Sequence, residues 1–255
     1  MSFVIPSFQG LIKPTSNILW TPVQLNNIIG GYTAKKDGSG NFQGNESSGY
    51  VSQWNDIYGS NHITQSSASY QPSWDSVNEK VTFTGGGIGT YGDYFDISTS
   101  SVKMIALVYA NISGADKVNS VASGATNLIG ELFLGGSSGI GAGAISFDNA
   151  GTEQGKYAIA GNAWSGNAEN HTTTGYLSNN LGLFEWVNNQ NIVYIGRRGG
   201  ENNFGFYGDM YFLLLLSGSL TSEEKEKLEG WMAHTFGYTA QLPAGHPYKS
   251  SAPLI

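Results

Sequence analysis

The strongest constraint on this chain is a long series of short apolar segments, each of which ends at turn-forming residues. Segments of this length and spacing are typical of the strands of an all-β protein. Almost no helical period lies between them, which excludes an α/β fold. The pattern predicts two antiparallel sheets packed face to face, with residues 211–216 as a central strand covered on both faces. We predict strands at residues 18–25, 50–54, 80–83, 94–97, 104–112, 127–134, 144–147, 156–160, 176–186, 192–195 and 206–216, and polar loops at residues 35–48 and 113–126.

One segment near the C-terminus breaks this pattern and has the features of a helix. Thr221 and Glu224 form a T-x-x-E capping box, and Gly237 supplies a left-handed stop. The apolar stripe consists of Leu228, Trp231, Met232 and Phe236, and the opposite charged face consists of Lys225, Lys227 and Glu229. We therefore predict one amphipathic helix over residues 221–236, with a closing tail over residues 237–255 and no candidate catalytic group in either.

The length of 255 residues suits a single large β domain, which we place at residues 19–255. Residues 1–18 mix apolar residues with two prolines and show no clean periodicity. We predict that they form an extended arm on the edge of the domain, with attachment to a larger assembly as the alternative.

The composition excludes several classes of protein. Only 12% of the residues are charged and the net charge is −7, so no basic stripe is present to bind nucleic acid. The absence of cysteine excludes a disulfide scaffold, cysteine-bound zinc and iron–sulfur clusters. No segment approaches the roughly 18 apolar residues that span a bilayer, so we expect no membrane insertion. The first residues lack the pattern of a secretion signal, which permits a cytoplasmic protein or one released by lysis, as virus particles are.

Two segments resemble the opening and the closing parts of concanavalin A-like, laminin-G-like lectin domains. The opening part is GYVSQWNDIYGSN at residues 49–61, followed by QP at 71–72 and VTFTG at 81–85. The closing part is LTSEEKEKLEGWMAHTFG at 220–237 and LPAGHPY at 242–248. The closing part is similar to tails found in lectin-like domains of phage structural proteins and bacterial surface proteins. The resemblance implies a jelly-roll sandwich closed by one helix. Where such domains often carry an acidic residue two or three places after the glycine of the last strand, this chain has Met210 and Tyr211.

This resemblance implies a non-enzymatic structural protein of a phage virion, as a fibre, tail or capsid-decorating component. Its partners would be other virion proteins, further copies of the chain in a homo-oligomer, and a host-surface polysaccharide. A module of a bacterial surface adhesin is one alternative. Another is a glycoside hydrolase or lyase on the same fold.

The enzymatic alternative needs two carboxylates that face each other across the sugar. No E-x-D-x-x-E pattern occurs, and Glu131 and Glu185 each stand alone in a predicted strand, although a pair from distant strands stays open. We therefore expect no catalytic residue. His62, His171, His234 and His246 lack the spacing of metal ligands, so we expect no cofactor other than a structural calcium ion, for which Asp93 and Asp96 are candidates. We assign His234 to capping the end of the helix and His246 to the structure of the tail.

Glycan binding needs an aromatic platform for the apolar face of a sugar and short polar side chains for its hydroxyl groups. Two polar loops and one pair of tyrosines carry such residues. The candidates are Asn162, Trp164 and Asn167 in the first loop, Arg197, Arg198 and Asn202 in the second, and the pair Tyr91 and Tyr94. The alternatives are that Trp164 folds back onto the sheet and that the arginine loop is a solvated hairpin tip. We assign the other tryptophans to the core: Trp20, Trp54, Trp74, Trp186 and Trp231.

Overall fold

The computed structural model describes most of the chain from Ile18 onwards. The described residues are 18–85, 92–112, 119–125, 131–134, 144–148, 154–166, 170–172, 180–199 and 205–255. All of the predicted N-terminal arm except Ile18 lies outside them.

The described residues form an all-β structure with one C-terminal α-helix, as the sequence pattern predicted. The strands are β1 (Ile28–Thr33), β2 (Gly44–Ser47), β3 (Tyr50–Trp54), β4 (Ile63–Thr64), β5 (Ser73–Asp75), β6 (Lys80–Thr84), β7 (Phe95–Ala110), β8 (Asn119–Ser123), β9 (Glu131–Leu134), β10 (Ala144–Asp148), β11 (Gly155–Ile159), β12 (Asn170–Thr172), β13 (Asn180–Ile195) and β14 (Tyr207–Leu216). The helix α1 spans Ser222–Phe236.

The described strands belong to one continuous antiparallel sheet, where we expected two separate ones. Its order is β1-β14-β6-β5-β3-β4-β7-β13-β8-β9-β10-β12, with β2 beside β3 and β11 beside β13. An additional pairing of β14 with β7 closes part of this path into a ring, so the sheet is barrel-like rather than a clear pair of layers. The closure depends on strand length, because β7 is 16 residues long and pairs with β4 near its start and with β14 farther along.

The central strands are buried on both faces, and their alternate residues enter two different cores. On β14, Leu213 and Leu215 enter the inner core enclosed by the sheet, whereas Phe212, Leu214 and Leu216 enter the outer core. The outer core lies between the sheet and α1. Because successive side chains of a strand point to opposite faces, an uninterrupted apolar run is required here. The predicted central strand is confirmed.

The first predicted strand is wrong, and proline explains why. Residues 18–25 contain an isolated bridge at Leu19 and a 3-10 turn over Pro22–Gln24, because Pro22 lacks the N–H that a strand would donate. The real strand, β1, follows it and contains Gly30 and Gly31. A Cβ at Gly31 would lie 2.4 Å from the ring of Tyr58, so close ring packing requires a glycine there.

Other segments also differ from the sequence pattern. The strands predicted at 94–97 and 104–112 are parts of one strand, β7, which spans Phe95–Ala110. Residues 180–186 and 192–195 likewise belong to one strand, β13, whose pairing with β7 is irregular between them. The polar stretches 35–48 and 113–126, which we predicted as loops, contain β2 and β8. Their polar composition does not indicate a strand, because β2 and β8 are stabilised by backbone pairing with β3 and β13, respectively.

The helix begins and ends as predicted. The Thr221 hydroxyl accepts from the Glu224 N–H at 3.2 Å, the Glu224 carboxylate accepts from the Thr221 N–H at 2.9 Å, and Gly237 ends the helix at φ +82°. The tail then runs back along α1. His234 does not cap the helix carbonyls; its Nε2 lies 2.9 Å from the carbonyl oxygen of Tyr248.

Candidate functional site

Three tyrosine rings and one guanidinium group form a compact cluster, which we call the tyrosine–arginine surface. It consists of Tyr70, Tyr94, Tyr194 and Arg197. The ring centroids of Tyr70 and Tyr94 lie 5.6 Å apart, and those of Tyr94 and Tyr194 lie 5.9 Å apart. The Arg197 guanidinium lies 4.5 Å from the Tyr94 centroid and 4.0 Å from that of Tyr194. The three tyrosines are half-buried, so each residue keeps part of its surface in contact with solvent.

Hydrogen bonds to backbone carbonyl groups hold this surface together from four separate parts of the chain. The Tyr94 N–H donates to the Tyr70 carbonyl at 3.0 Å, and the Gln65 amide donates to the Tyr94 carbonyl at 3.2 Å. The end of β13 brings Tyr194 beside the start of β7. The hydroxyl of Ser123 on β8 donates to the Arg197 carbonyl at 2.8 Å.

Arg197 is positioned by a turn that only glycine tolerates. Gly196 has φ +92°, and a Cβ there would lie 2.6 Å from the ring of Phe83. Arg197 itself is buried, with 8% of its surface exposed, and cation–π contact with two rings compensates for its loss of hydration. Burial raises the pKa of the neighbouring Asp96, and the charge of Arg197 opposes that rise. The cluster therefore combines flat apolar faces, hydroxyl groups and an arginine on one rigid surface.

The structure brings together two candidates from different predicted segments, Tyr94 and Arg197. Arg198 is adjacent, and its carbonyl accepts from the Arg197 Nε at 3.3 Å. Tyr70 and Tyr194 were missed, because nothing in their own segments marks them; only the pairing of distant strands places them beside Tyr94. Of the remaining candidates, Tyr91, Asn167 and Asn202 lie outside the described residues.

Trp164 and Asn162 lie elsewhere, on the side of the sheet that carries α1. The Trp164 ring packs against the outer core, and the ammonium groups of Lys156 and Lys225 lie 4.7 Å and 5.6 Å from its centroid. This placement matches the alternative in which Trp164 folds back onto the sheet. Asn162 is exposed, and its side chain donates to the Ile159 carbonyl at 2.8 Å.

A buried charged cluster lies next to Trp164, on the side of α1 that the sequence pattern places opposite the apolar stripe. Glu229 is fully buried and Lys225 is 7% exposed, although both belong to the charged face of the helix. The Lys225 ammonium donates to both Glu229 carboxylate oxygens, at 2.7 Å and 2.8 Å, and to the Asn162 carbonyl at 2.9 Å. His246 Nε2 lies 3.5 Å from the Glu229 carboxylate. The tail covers this side of α1, which is why the two charges are buried.

The residues considered for chemistry do not converge on one site. The Glu185 carboxylate accepts from the Ser219 hydroxyl at 2.7 Å and pairs with Lys156 at 3.2 Å, and the side chain of Glu131 lies outside the described part. The Asp93 carboxylate accepts two hydrogen bonds from Thr84, at 2.7 Å and 2.8 Å. Among the residues that the structure describes, no group of three histidine, aspartate or glutamate side chains is arranged to hold a metal ion.

No protein-family model, no curated protein and no solved structure matches this chain. Within the described part of the chain, no helix is both long and apolar enough to cross a membrane.

Proposed function

We propose that this protein is a non-enzymatic structural component of a phage virion whose lectin-like domain binds a host-surface glycan through the tyrosine–arginine surface. The resemblance of residues 220–248 to the tails of phage lectin-like domains supports the virion assignment. We propose further that this barrel-like sheet is a strongly curved form of the concanavalin A-like jelly roll, in which the long strands β7, β13 and β14 join the two layers. The inner core enclosed by the sheet would then be the space between the layers, and α1 covers the outer face of one of them.

The observation that carries glycan binding is the row of half-exposed rings at Tyr70, Tyr94 and Tyr194. A sugar ring has an apolar face of C–H groups, which packs on aromatic rings, and hydroxyl groups, which hydrogen-bond to nearby polar side chains. Tyrosine supplies both kinds of contact with little loss of conformational entropy. Arg197 contacts the rings of Tyr94 and Tyr194 and holds them in place, so the surface is formed before a ligand binds. Less conformational entropy is then lost on binding.

The experiment is binding of purified host-surface polysaccharide to the intact protein by calorimetry. Tyr70→Ala and Tyr94→Ala should each weaken binding about tenfold or more, because loss of a central aromatic contact typically costs more than about 1 kcal/mol. Tyr94→Phe keeps the ring and its contact with Arg197, so it should bind much more tightly than Tyr94→Ala. The matched control is Tyr50→Ala, since Tyr50 is a tyrosine with 53% exposure on β3.

Unchanged binding in Tyr70→Ala and Tyr94→Ala, with folding verified by circular dichroism, would contradict the assignment of this surface. Depolymerisation of the polysaccharide by the wild-type protein, abolished in Glu185→Gln, would contradict the non-enzymatic assignment. We also propose that the domain forms homo-oligomers and contacts other virion proteins, which electron microscopy of purified particles tests by locating the chain.

A further inference from the structure

The side chains of Lys80, Asn111 and Asp209 meet where three neighbouring strands lie side by side. Lys80 begins β6, Asp209 lies on β14 between Thr82 and Ala110 of its two neighbours, and Asn111 follows the end of β7. The Lys80 ammonium lies 2.9 Å from Asp209 Oδ2, and the Asn111 amide nitrogen lies 2.6 Å from the same oxygen. An amine and a carboxamide are therefore brought together by one carboxylate oxygen.

The carboxylate that joins them is buried and held in place. The Asp209 side chain is 3% exposed, and its Oδ1 accepts from the Thr82 hydroxyl at 2.6 Å. The Lys80 side chain is 20% exposed, and Asn111 adopts a left-handed backbone conformation with φ +53°. Asparagine tolerates that conformation better than most non-glycine residues. In this conformation the Asn111 side-chain amide lies within hydrogen-bonding distance of Asp209.

We propose that this cluster forms an intramolecular amide bond between Lys80 and Asn111, with Asp209 as the group that transfers the proton. Asp209 Oδ2 takes a proton from the Lys80 ammonium, and the free amine attacks the Asn111 side-chain carbonyl carbon. A C–N bond forms between Lys80 Nζ and Asn111 Cγ. Asp209 passes this proton to Nδ2, and the bond between Cγ and Nδ2 breaks. The attacking nitrogen gives its second proton to Asp209, which transfers it to the departing ammonia. The products are a neutral amide, an ammonium ion and the Asp209 carboxylate. No oxidant or other co-reactant is needed.

The arrangement of donors on Asp209 is the specific support for this reaction. The atom that accepts the proton, Oδ2, already contacts both the nucleophile and the leaving nitrogen, so neither side chain has to find a new partner. Because both groups are already bound to one shared oxygen, they have lost much of their translational freedom before they react, which removes part of the barrier. The bond would tie β6 to β7 across β14, and the chain has no cysteine with which to make a disulfide.

The ionisation of Lys80 sets the expected pH dependence. Burial lowers the pKa of Lys80, but the hydrogen bond and the charge of Asp209 outweigh this effect, so the pKa of this amine is raised. Less free amine is present at neutral pH than for an ordinary lysine. Bond formation should therefore become faster as the pH rises towards that raised pKa.

The test is the intact mass of the full chain after incubation at neutral and alkaline pH, followed by proteolysis and mass spectrometry. We expect a mass lower than that of the sequence by one ammonia molecule, and a branched peptide that joins residue 80 to residue 111. Lys80→Arg keeps the positive charge beside Asp209 but lacks the amine nucleophile, so it should retain the full mass. Lys35→Arg is the matched control, because Lys35 pairs with Glu79 at the surface, and it should still lose ammonia.

Asp209→Asn should retain the full mass if it folds, which circular dichroism determines. If Asp209→Asn does not fold, the mass of the wild-type protein decides the proposal by itself. A folded wild-type protein that keeps the full mass at alkaline pH would show that the three side chains form an ion-pair network only. Deamidation of Asn111 without a branched peptide would equally overturn the proposal, since water rather than Lys80 would then be the nucleophile. Glycan binding is independent of either outcome.

Discussion

Single side chains in this protein take roles that their own sequence neighbours do not reveal. Lys225 and Glu229 are spaced i,i+4 on a helix, a pattern typical of a solvated pair. A second pair with the same spacing, Glu223 and Lys227, occupies the same helix. The first pair is buried under the tail and bonded to Asn162, whereas the Glu223 side chain is 72% exposed. The difference lies entirely in what covers each pair.

The buried pair gives a prediction at this scale. Glu229→Gln should destabilise the protein by about 3 kcal/mol, because it leaves the buried Lys225 charge without its counter-charge. The double variant Lys225→Met with Glu229→Leu should recover much of that loss, since it removes both charges. Urea denaturation measures each free energy of unfolding. Glu223→Gln is the matched control and should change stability little, because a solvent-exposed ion pair contributes little. Equal losses in Glu229→Gln and Glu223→Gln would contradict this account.

Helix α1 shows how an element can be recognised locally and yet be completed by distant residues. Its capping box and left-handed stop are local features, and they fix where it begins and ends. The position of α1 in the fold depends on contacts along two of its sides, one with the sheet and one with the tail. Leu228 and Met232 pack into the outer core, while Tyr248 of the tail packs against Gly230 on another side.

Gly230 gives the prediction for this element. Alanine in a helix interior is ordinarily more stable than glycine by about 1 kcal/mol. Here an added Cβ would lie 2.5 Å from the Cβ of Tyr248, so Gly230→Ala should instead destabilise the protein by roughly 1–3 kcal/mol through overpacking. Thermal and urea denaturation measure the loss. In the background of Tyr248→Gly, which removes that contact, the same substitution should be neutral or stabilising; a loss of the same size there would refute the packing explanation.

The whole molecule is closed by contacts between its two described ends. Residues 18–20 run beside the last residues of the chain, where the Trp20 N–H donates to the Pro253 carbonyl at 2.9 Å and the Ile255 N–H donates to the Ile18 carbonyl at 3.1 Å. The tail thus binds the helix and then the first described residues. Trp20, which is 4% exposed, belongs to the outer core that this closure completes.

Removal of residues 253–255 should loosen this closure without unfolding the sheet. Hydrogen exchange at the Trp20 N–H should become much faster, because its acceptor is lost. Exchange in the central part of β14 should change little, since those residues are buried in two cores and paired on both edges. Hydrogen–deuterium exchange with mass spectrometry on both forms tests this. Simultaneous loss of protection in β14 would contradict it and show that the tail is needed for the whole fold.

The sequence by itself determined the class of the fold and its best-marked elements. The alternation of short apolar and turn segments specified an all-β protein, and strands such as β3 and helix α1 were correct because local patterns decide them. Of the candidate site, the sequence predicted Tyr94 and Arg197 as binding residues, because each stands near turn residues in a polar part of the chain. It could not supply Tyr70 and Tyr194, because their role comes from strand pairing.

Only the tertiary structure decided which chain segments meet. The ring closure of β14 on β7 follows from strands long enough to pair with different partners along their length, which no local pattern encodes. The burial of Lys225 and Glu229 depends on a tail that returns over the helix, and the meeting of Lys80, Asn111 and Asp209 depends on the order β6, β14, β7. Local propensities act over a few residues, whereas these contacts join residues that are far apart in the chain, so the free energy of packing the whole molecule selects them.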